Sequence, residues 1–414
     1  MRRLFRQGKR LGLGATAIFL AGALLVGSVM PAKAAEERVI TVGLHAAFTG
    51  ALATTAAPMG YGILDSLRYM NERGGINGIE INCMWFETQG LVPQAITAHR
   101  RFKEAGAVLE FQLSSTPTEV LTPRLQKDEI PIISYPTPTT GTITRPLSWV
   151  FGYFPGVPSV VPTFVTWLKD IWTEERPPRI GHILYDHSSG WEALKGTRDY
   201  APEQGIDFVG YEVIPLLGAI DTSTEILRLA AKKPDWVATT VTGASAVTLV
   251  KDIERLEIAK RGIKFVSTGA GPDESVLNIV GKAGEGWHII SPAPAITETE
   301  LPGVKLMVEA AKRYRGFEPK DITEMYRGNW LLAQVGAEGI RVAVERVGYE
   351  NLNGHAVRDG LANIRDFDTG CTPPISVSNE HPAMASFVRI LQYRQGFFQP
   401  ISDWIKVASP MRFE

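Results

Sequence analysis

From Arg38 onward, short apolar runs alternate with stretches whose apolar positions recur every three or four residues. Residues 39–44 read as a short strand. Residues 60–72 then carry Ile63, Leu64, Leu67 and Met70 on one face, as an amphipathic helix does. Gly74, Gly75 and Gly78 crowd together just beyond it. Glycine in an element interior costs roughly 0.5–1 kcal/mol relative to alanine, so the cluster needs a geometric reason. One of the first two closes the helix in the left-handed region, and Asn77-Gly78 makes a tight primed turn into a buried strand at 79–86. Helix 94–105, strand 108–113, helix 117–127 and strand 131–134 follow. Strands separated by single helices pair in parallel through right-handed crossovers, which predicts a doubly wound α/β sheet.

Residues 135–162 break this rhythm with many Pro, Gly and Thr. It then restarts as helix 163–172, strand 180–185, helix 191–204, strand 207–214, helix 222–231, strand 236–241, helix 244–257 and strand 264–268. After strand 287–290 comes a second break, SPAPAI, then helices 304–314 and 326–347 and a hairpin over 387–404 turning at 394–396. The pattern predicts two α/β lobes, since 414 residues exceed what one core serves.

The first 34 residues differ. Arg2, Arg3, Arg6, Lys9 and Arg10 precede an apolar, Gly- and Ala-rich run over 11–30, and Ala32-Lys33-Ala34 supplies a small-x-small cleavage pattern. These features predict an export signal peptide over 1–34 and a protein acting outside the cytoplasm. A membrane anchor is the alternative, because the run approaches spanning length. Arg2-Arg3-Leu4-Phe5 also resembles a twin-arginine signal. Cys83 and Cys371 have no motif spacing; an oxidising compartment permits a disulfide, and a buried free thiol fits equally. A net charge of −1 offers no footprint for nucleic acid.

Signatures of catalysis are missing. No phosphate-cradling loop or Gly-x-Ser-x-Gly elbow occurs, and Gly269-Ala270-Gly271 lacks the third glycine of a dinucleotide fingerprint. No histidine pair has metal-ligand spacing, so neither metal nor cofactor is expected. Asp186-His187-Ser188-Ser189 holds the residue types of a triad, yet neighbours in one loop rarely converge on one atom, and it reads as a polar strand-to-helix loop. Asp273-Glu274 and Glu298/Glu300 read as solvated loop carboxylates. Hydroxyls do gather at strand ends. Ser114-Ser115-Thr116 follows a strand and opens a helix, which suits either a carboxylate-binding turn or a plain helix cap. Phe48, Tyr135 to Thr139, Asp186 to Trp191, Thr242 and Gly269-Ala270 share that edge, where ligands bind in open α/β sheets.

The segments ITVGLHAAFTGALA, GYGILDSLRYMNERGGINGIEI, ETQGLVPQAITAHRRF, QLSSTPT, IPIISYPTPTT and GCTPPISVSNEHPAMASFVRILQYRQGFF occur in that order. Together they resemble the type I periplasmic solute-binding proteins of the leucine/isoleucine/valine class, over essentially the whole mature chain. The resemblance implies two Rossmann-like lobes joined by a three-crossover hinge. Lobe 1 would comprise 35–152 and 293–370, lobe 2 would comprise 153–292 and 371–414, and the third crossover would lie near Gly370. It also implies a non-enzymatic, monomeric protein that captures a small carboxylate-bearing solute, a branched-chain or hydrophobic amino acid or an aromatic or aliphatic acid, and delivers it to an ABC permease in the inner membrane. By the family pattern Ser115 and Thr116 hold the ligand carboxylate, with Tyr135 and Thr137 contributing from the next turn. An aromatic of lobe 2 covers the ligand; the family has Tyr then Gly where this chain has Gly190 then Trp191, so Trp191 is an offset candidate.

Amino-acid binders of the family place an acidic side chain of lobe 2 on the ligand ammonium. Here the corresponding loop has no carboxylate before Asp273 and Glu274, and Asp186 is the other candidate. The expected ligand is therefore a small acid or amide without an α-ammonium, with aromatic rings suiting the Tyr, Trp and Phe residues assigned to the cleft edge. A receptor ectodomain of the same fold and an amide- or urea-type binder remain alternatives. A secreted hydrolase lacks its nucleophile, and a transcription regulator lacks its DNA-binding head.

Overall fold

The computed structural model describes residues 38–407 apart from 136–138, 140–141, 143–147, 154, 216–217, 269–270 and 379–381. The expected signal peptide therefore lies outside the described residues. The first lobe's elements are β1 (Val39–Ala46), α1 (Ala53–Asn71), β2 (Glu80–Glu87), α2 (Val92–Glu104), β3 (Glu110–Gln112), α3 (Ser115–Asp128), β4 (Ile132–Ser134) and β5 (Val150–Gly152). Their strands form one parallel sheet in the order β2-β1-β3-β4-β5.

The chain then enters a second sheet through α4 (Val157–Ile171), β6 (Arg179–Tyr185), α5 (Ser188–Glu203), β7 (Asp207–Ile214), α6 (Ser223–Ala230), β8 (Trp236–Thr239), α7 (Gly243–Arg255), β9 (Lys264–Thr268), α8 (Glu274–Val280) and β10 (His288–Ser291). It returns to pack α9 (Pro302–Arg315) and α10 (Glu324–Val347) against α1, with α11 (Gly354–Leu361) against α10. Finally it crosses back as β11 (Phe387–Arg394), β12 (Phe397–Pro400) and β13 (Ile405–Lys406). The second sheet runs β12-β11-β10-β9-β8-β6-β7, parallel from β10 to β7 and antiparallel at β11 and β12, with β13 beside β11. This is the two-lobed, doubly wound architecture expected from the pattern.

The glycine cluster does what its spacing predicts. Gly74 and Gly75 have φ of 99° and 65°, and a Cβ on Gly75 would lie 2.0 Å from the Ile79 carbonyl oxygen. Asn77 and Gly78 have φ of 51° and 83°, as a primed turn requires, and Ile76 and Ile79 bridge across it. The Asn71 side chain locks the join: its Oδ1 accepts from the Ile81 N–H at 2.9 Å and its Nδ2 donates to the Ile81 carbonyl at 2.8 Å.

Three expectations need correction. The strand after this turn is the edge of its sheet, not a buried strand, and Trp85 on it is 52% exposed. The proline-rich break hides β5 and the first turns of α4; Pro158 sits where helix N–H groups have no intrahelical partner, so it starts the helix rather than blocking it. Asp273 and Glu274 are buried, not solvated. Cys83 and Cys371 are both free thiols, and burial pushes each up to about 12.

Candidate binding cleft

In an open α/β sheet the ligand crevice lies at the carboxyl ends of the strands, where the strand order reverses. In the first sheet that point falls between β1 and β3, and in the second between β6 and β8. Leu52 and Thr55 follow β1, Ser114 and Ser115 follow β3, Tyr185 ends β6 with His187 just beyond it, and Thr242 follows β8. All seven line one small cavity of about 30 Å³. Ala56, Met59, Leu113 and Met325 complete its wall. The reversal points of the two sheets thus face each other across one cleft.

The helices at this cleft share a property. Leu52, Ser114, His187 and Thr242 are the N-cap residues of α1, α3, α5 and α7, and none of them caps its helix with its own side chain. A helix start presents unpaired N–H groups and a partial positive charge. Four such starts on one cleft, those of α1 and α7 partly satisfied by the Gly50 and Ala51 carbonyls, favour an oxygen-rich or anionic group there.

Instead of capping, the hydroxyls reach across. Ser115 Oγ lies 3.2 Å from His187 Nδ1, and Ser114 Oγ lies 3.5 Å from Nε2 of the same ring. Thr116 Oγ1 is 3.2 Å from Ser188 Oγ, and Thr242 Oγ1 donates to Thr55 Oγ1 at 3.0 Å. The Ala244 N–H donates to the Ala51 carbonyl at 3.3 Å. Between these contacts, Gly243 has φ of 62°, and a Cβ there would lie 2.6 Å from the Ala51 oxygen. Lobe contact at this point tolerates only glycine.

His187 stacks on Tyr185, with ring centroids 5.1 Å apart and planes 7° from parallel. Burial pulls its imidazole down to about 4, against the opposing charge of Asp186, so the ring is neutral near pH 7. The Tyr185 hydroxyl shares a 2.6 Å hydrogen bond with Ser189 Oγ, and burial holds it at about 12.

Beneath Met325 lies a buried polar cluster. Asp273 Oδ2 accepts from the Met325 N–H at 3.2 Å, and Glu274 Oε2 accepts from the Glu324 N–H at 2.7 Å. Arg327 donates to Glu274 Oε1 at 2.9 Å. Glu324 accepts from the Ser291 hydroxyl at 2.9 Å and from the Tyr135 hydroxyl at 3.0 Å. Burial first, then like charge among these carboxylates, raises both Asp273 and Glu324, the latter to about 7.

Of the residues singled out by sequence, Ser115 and Thr242 line the cavity, and Thr116 bridges to Ser188 at its edge. Tyr135 is turned away into the cluster under Met325, because β4 ends with that side chain facing α10. Phe48 stacks on Tyr61 and meets Trp85 edge-on, away from the cavity. Asp186 accepts from the Trp191 indole N–H at 2.9 Å, and both side chains face solvent. Thr137, Gly269 and Ala270 lie outside the described residues. His187, inside the strand-end segment 186–191 assigned to the ligand edge but not singled out there, is the residue of that segment that lines the cavity. Among the described residues no cluster of His, Cys, Asp or Glu is arranged to hold a metal ion.

Residues 39–396 match the family described as periplasmic binding protein. The chain belongs to that family of solute-binding proteins. Among solved structures it is similar to a branched chain amino acid ABC transporter protein of Thermus thermophilus with bound valine. The TM-score is 0.79 at 20% identity, over 90% of this chain and 97% of that one. It is also similar to a solute-binding protein of R. palustris in complex with 4-hydroxybenzoate, with a TM-score of 0.75 at 16% identity over 90% and 98% of the two chains. A fatty acid ABC transporter substrate-binding protein of Thermomonospora curvata gives 0.76 at 17% identity, over 90% and 93%. No curated protein matches the chain in sequence.

Proposed function

We propose that this protein is the extracytoplasmic solute-binding component of an ABC importer. It captures a small carboxylate-bearing solute between two hinged lobes and hands it, as a monomer, to a permease in the inner membrane. The observation that carries this reading is the convergence of four uncapped helix starts on one cleft between two facing sheets. Such a site binds an oxygen-bearing group without a cationic side chain. The lobes are taken as 35–152 with 293–370, and 153–292 with 371–414, and closure as a hinged trap. The structural relatives' valine, 4-hydroxybenzoate and fatty acid agree with a carboxylate but leave its body open.

A thermal-shift screen over amino acids, aromatic acids, short and long aliphatic acids, amides and sugars tests the reading. A ligand at a hundred times its dissociation constant stabilises by about 2.7 kcal/mol. The same ligand should shrink the radius of gyration in small-angle scattering. Absence of any stabilising solute, or binding with no compaction, overturns the trap.

A further inference from the structure

Resting on that reading, we infer that the acids at the starts of α8 and α10 form a proton-taking latch, so that closing the cleft draws a proton onto them and rising pH favours the open form. Two helix starts meet here. α10 packs on α1 beside the first sheet, whereas α8 lies between β9 and β10 of the second. The first-turn N–H groups of α10 find most of their acceptors across that divide. Thr323 accepts from the Tyr326 N–H, but the Glu324 N–H goes to Glu274 and the Met325 N–H to Asp273. Asp273 also caps α8, its Oδ1 accepting from the Ser275 N–H at 3.0 Å. One carboxylate thus closes two helix ends, one from each side, and α10 loses two acceptors if the sides part.

The latch joins the cleft to the chain crossings. Met325 lines the cavity. Glu324 takes the hydroxyl of Ser291, where the chain leaves β10, and that of Tyr135, just past β4. Tyr153, following β5, donates to the Pro292 carbonyl, following β10, at 3.2 Å. Rotation about these crossings changes the spacing of α8 and α10. Asp273 and Glu274 come from the second-sheet side, Glu324 and Arg327 from the other, and Arg327 pairs with Glu274. Asp273 and Glu324 are left as neighbouring acids out of water, and a proton on one relieves their repulsion. Tyr135, Tyr153 and Tyr393 beside them stay neutral, since burial raises all three phenols. Burial, then the charge of Asp273, lifts Glu324 from 4.5 to about 7. The closed form therefore gains from protonation below that value and loses the gain as pH rises through it.

Native-state amide exchange tests this without a solute. The Ala244 N–H, in the first turn of α7, donates across the cleft to the Ala51 carbonyl and reports opening. The Ala238 N–H, inside β8 with a strand on either side, reports global unfolding. Wild type is compared with Glu324→Gln, which cannot take the proton and leaves the titration of His187 in place. Between pH 6.5 and 8.5 the ratio of wild-type to variant protection at Ala244 should fall about fourfold, as linkage requires of a group moving from 4.5 to about 7. A constant or rising ratio overturns the latch and leaves capture standing, provided Ala244 exchanges faster than Ala238. If Ala244 is as slow as Ala238, the cleft has no opening of its own, and the capture reading falls with the inference. Should Glu324→Gln not fold, Asp273→Asn takes its place, and a constant ratio in that pair overturns the latch equally.

Discussion

Replacing Glu324 by Gln should make the protein more stable at pH 8 and leave it nearly unchanged at pH 5. Glu324 sits wholly buried at the start of α10, with Asp273 and Glu274 facing it from the β9–α8 side and the Arg327 cation beside Glu274. Burial, then the charge of Asp273, raises its carboxyl from 4.5 to about 7, with Arg327 opposing. The folded state therefore holds this proton more tightly than the unfolded chain. That stability is fully present below about pH 4.5 and is lost as pH rises through 7. At 1.36 kcal/mol per pH unit, the loss amounts to about 3 kcal/mol. Gln removes the titration but offers a single oxygen to the Tyr135 and Ser291 hydroxyls, which costs about 1 kcal/mol. A net gain of about 2 kcal/mol remains at pH 8. Urea unfolding at pH 5, 6.5 and 8 measures it directly. Equal destabilisation of the variant at all three values would refute the buried-proton argument.

Replacing Ser115 and Thr116 together by Ala should weaken ligand binding by about 2–4 kcal/mol through lost hydrogen bonds to a charged group; calorimetry showing wild-type affinity in a folded variant removes them from the site. Gly243→Ala places a methyl against the Ala51 carbonyl oxygen at a left-handed backbone position, so scattering should show ligand-driven compaction reduced or abolished. In the first lobe, Glu110 joins His45 and His99 at 2.7 Å each, and His99 also reaches Asp128. Burial disfavours the His99 cation, but the bonds and charges of Glu110, then Asp128, outweigh it and raise its pKa. Its contribution is thus present below about pH 6.5 and lost above the raised value. Glu110→Gln should cost about 3 kcal/mol and erase that dependence in urea titrations.

The alternation of strands and helices was legible wherever period and punctuation agreed, as in β1, α1 and the turn at Asn77-Gly78. It failed where prolines were read as breaks, because position decides whether a proline starts a helix or stops it, and α4 begins through Pro158. The short helices α8 and α11 carry too few residues for a periodic signal. Within the cleft, three successive hydroxyls after a strand marked Ser115 and Thr116. The aromatic positions were illegible because a side chain just past a strand end faces one way or the other by a single residue of register. Tyr135 turns inward to Glu324, whereas His187, one residue beyond Asp186, faces the opposite wall.

A cleft whose described lining carries no ionised side chain also determines how solute arrives. Helix ends act over about one turn and draw nothing from a distance. The described lining itself therefore supplies no charge to steer an approaching solute and none for salt to screen. Capture should proceed at a rate nearly independent of ionic strength. On the proposed capture role, retention of a dilute solute then depends on how long contacts such as those of Ser115, Thr116 and Thr242 between the two sheets persist.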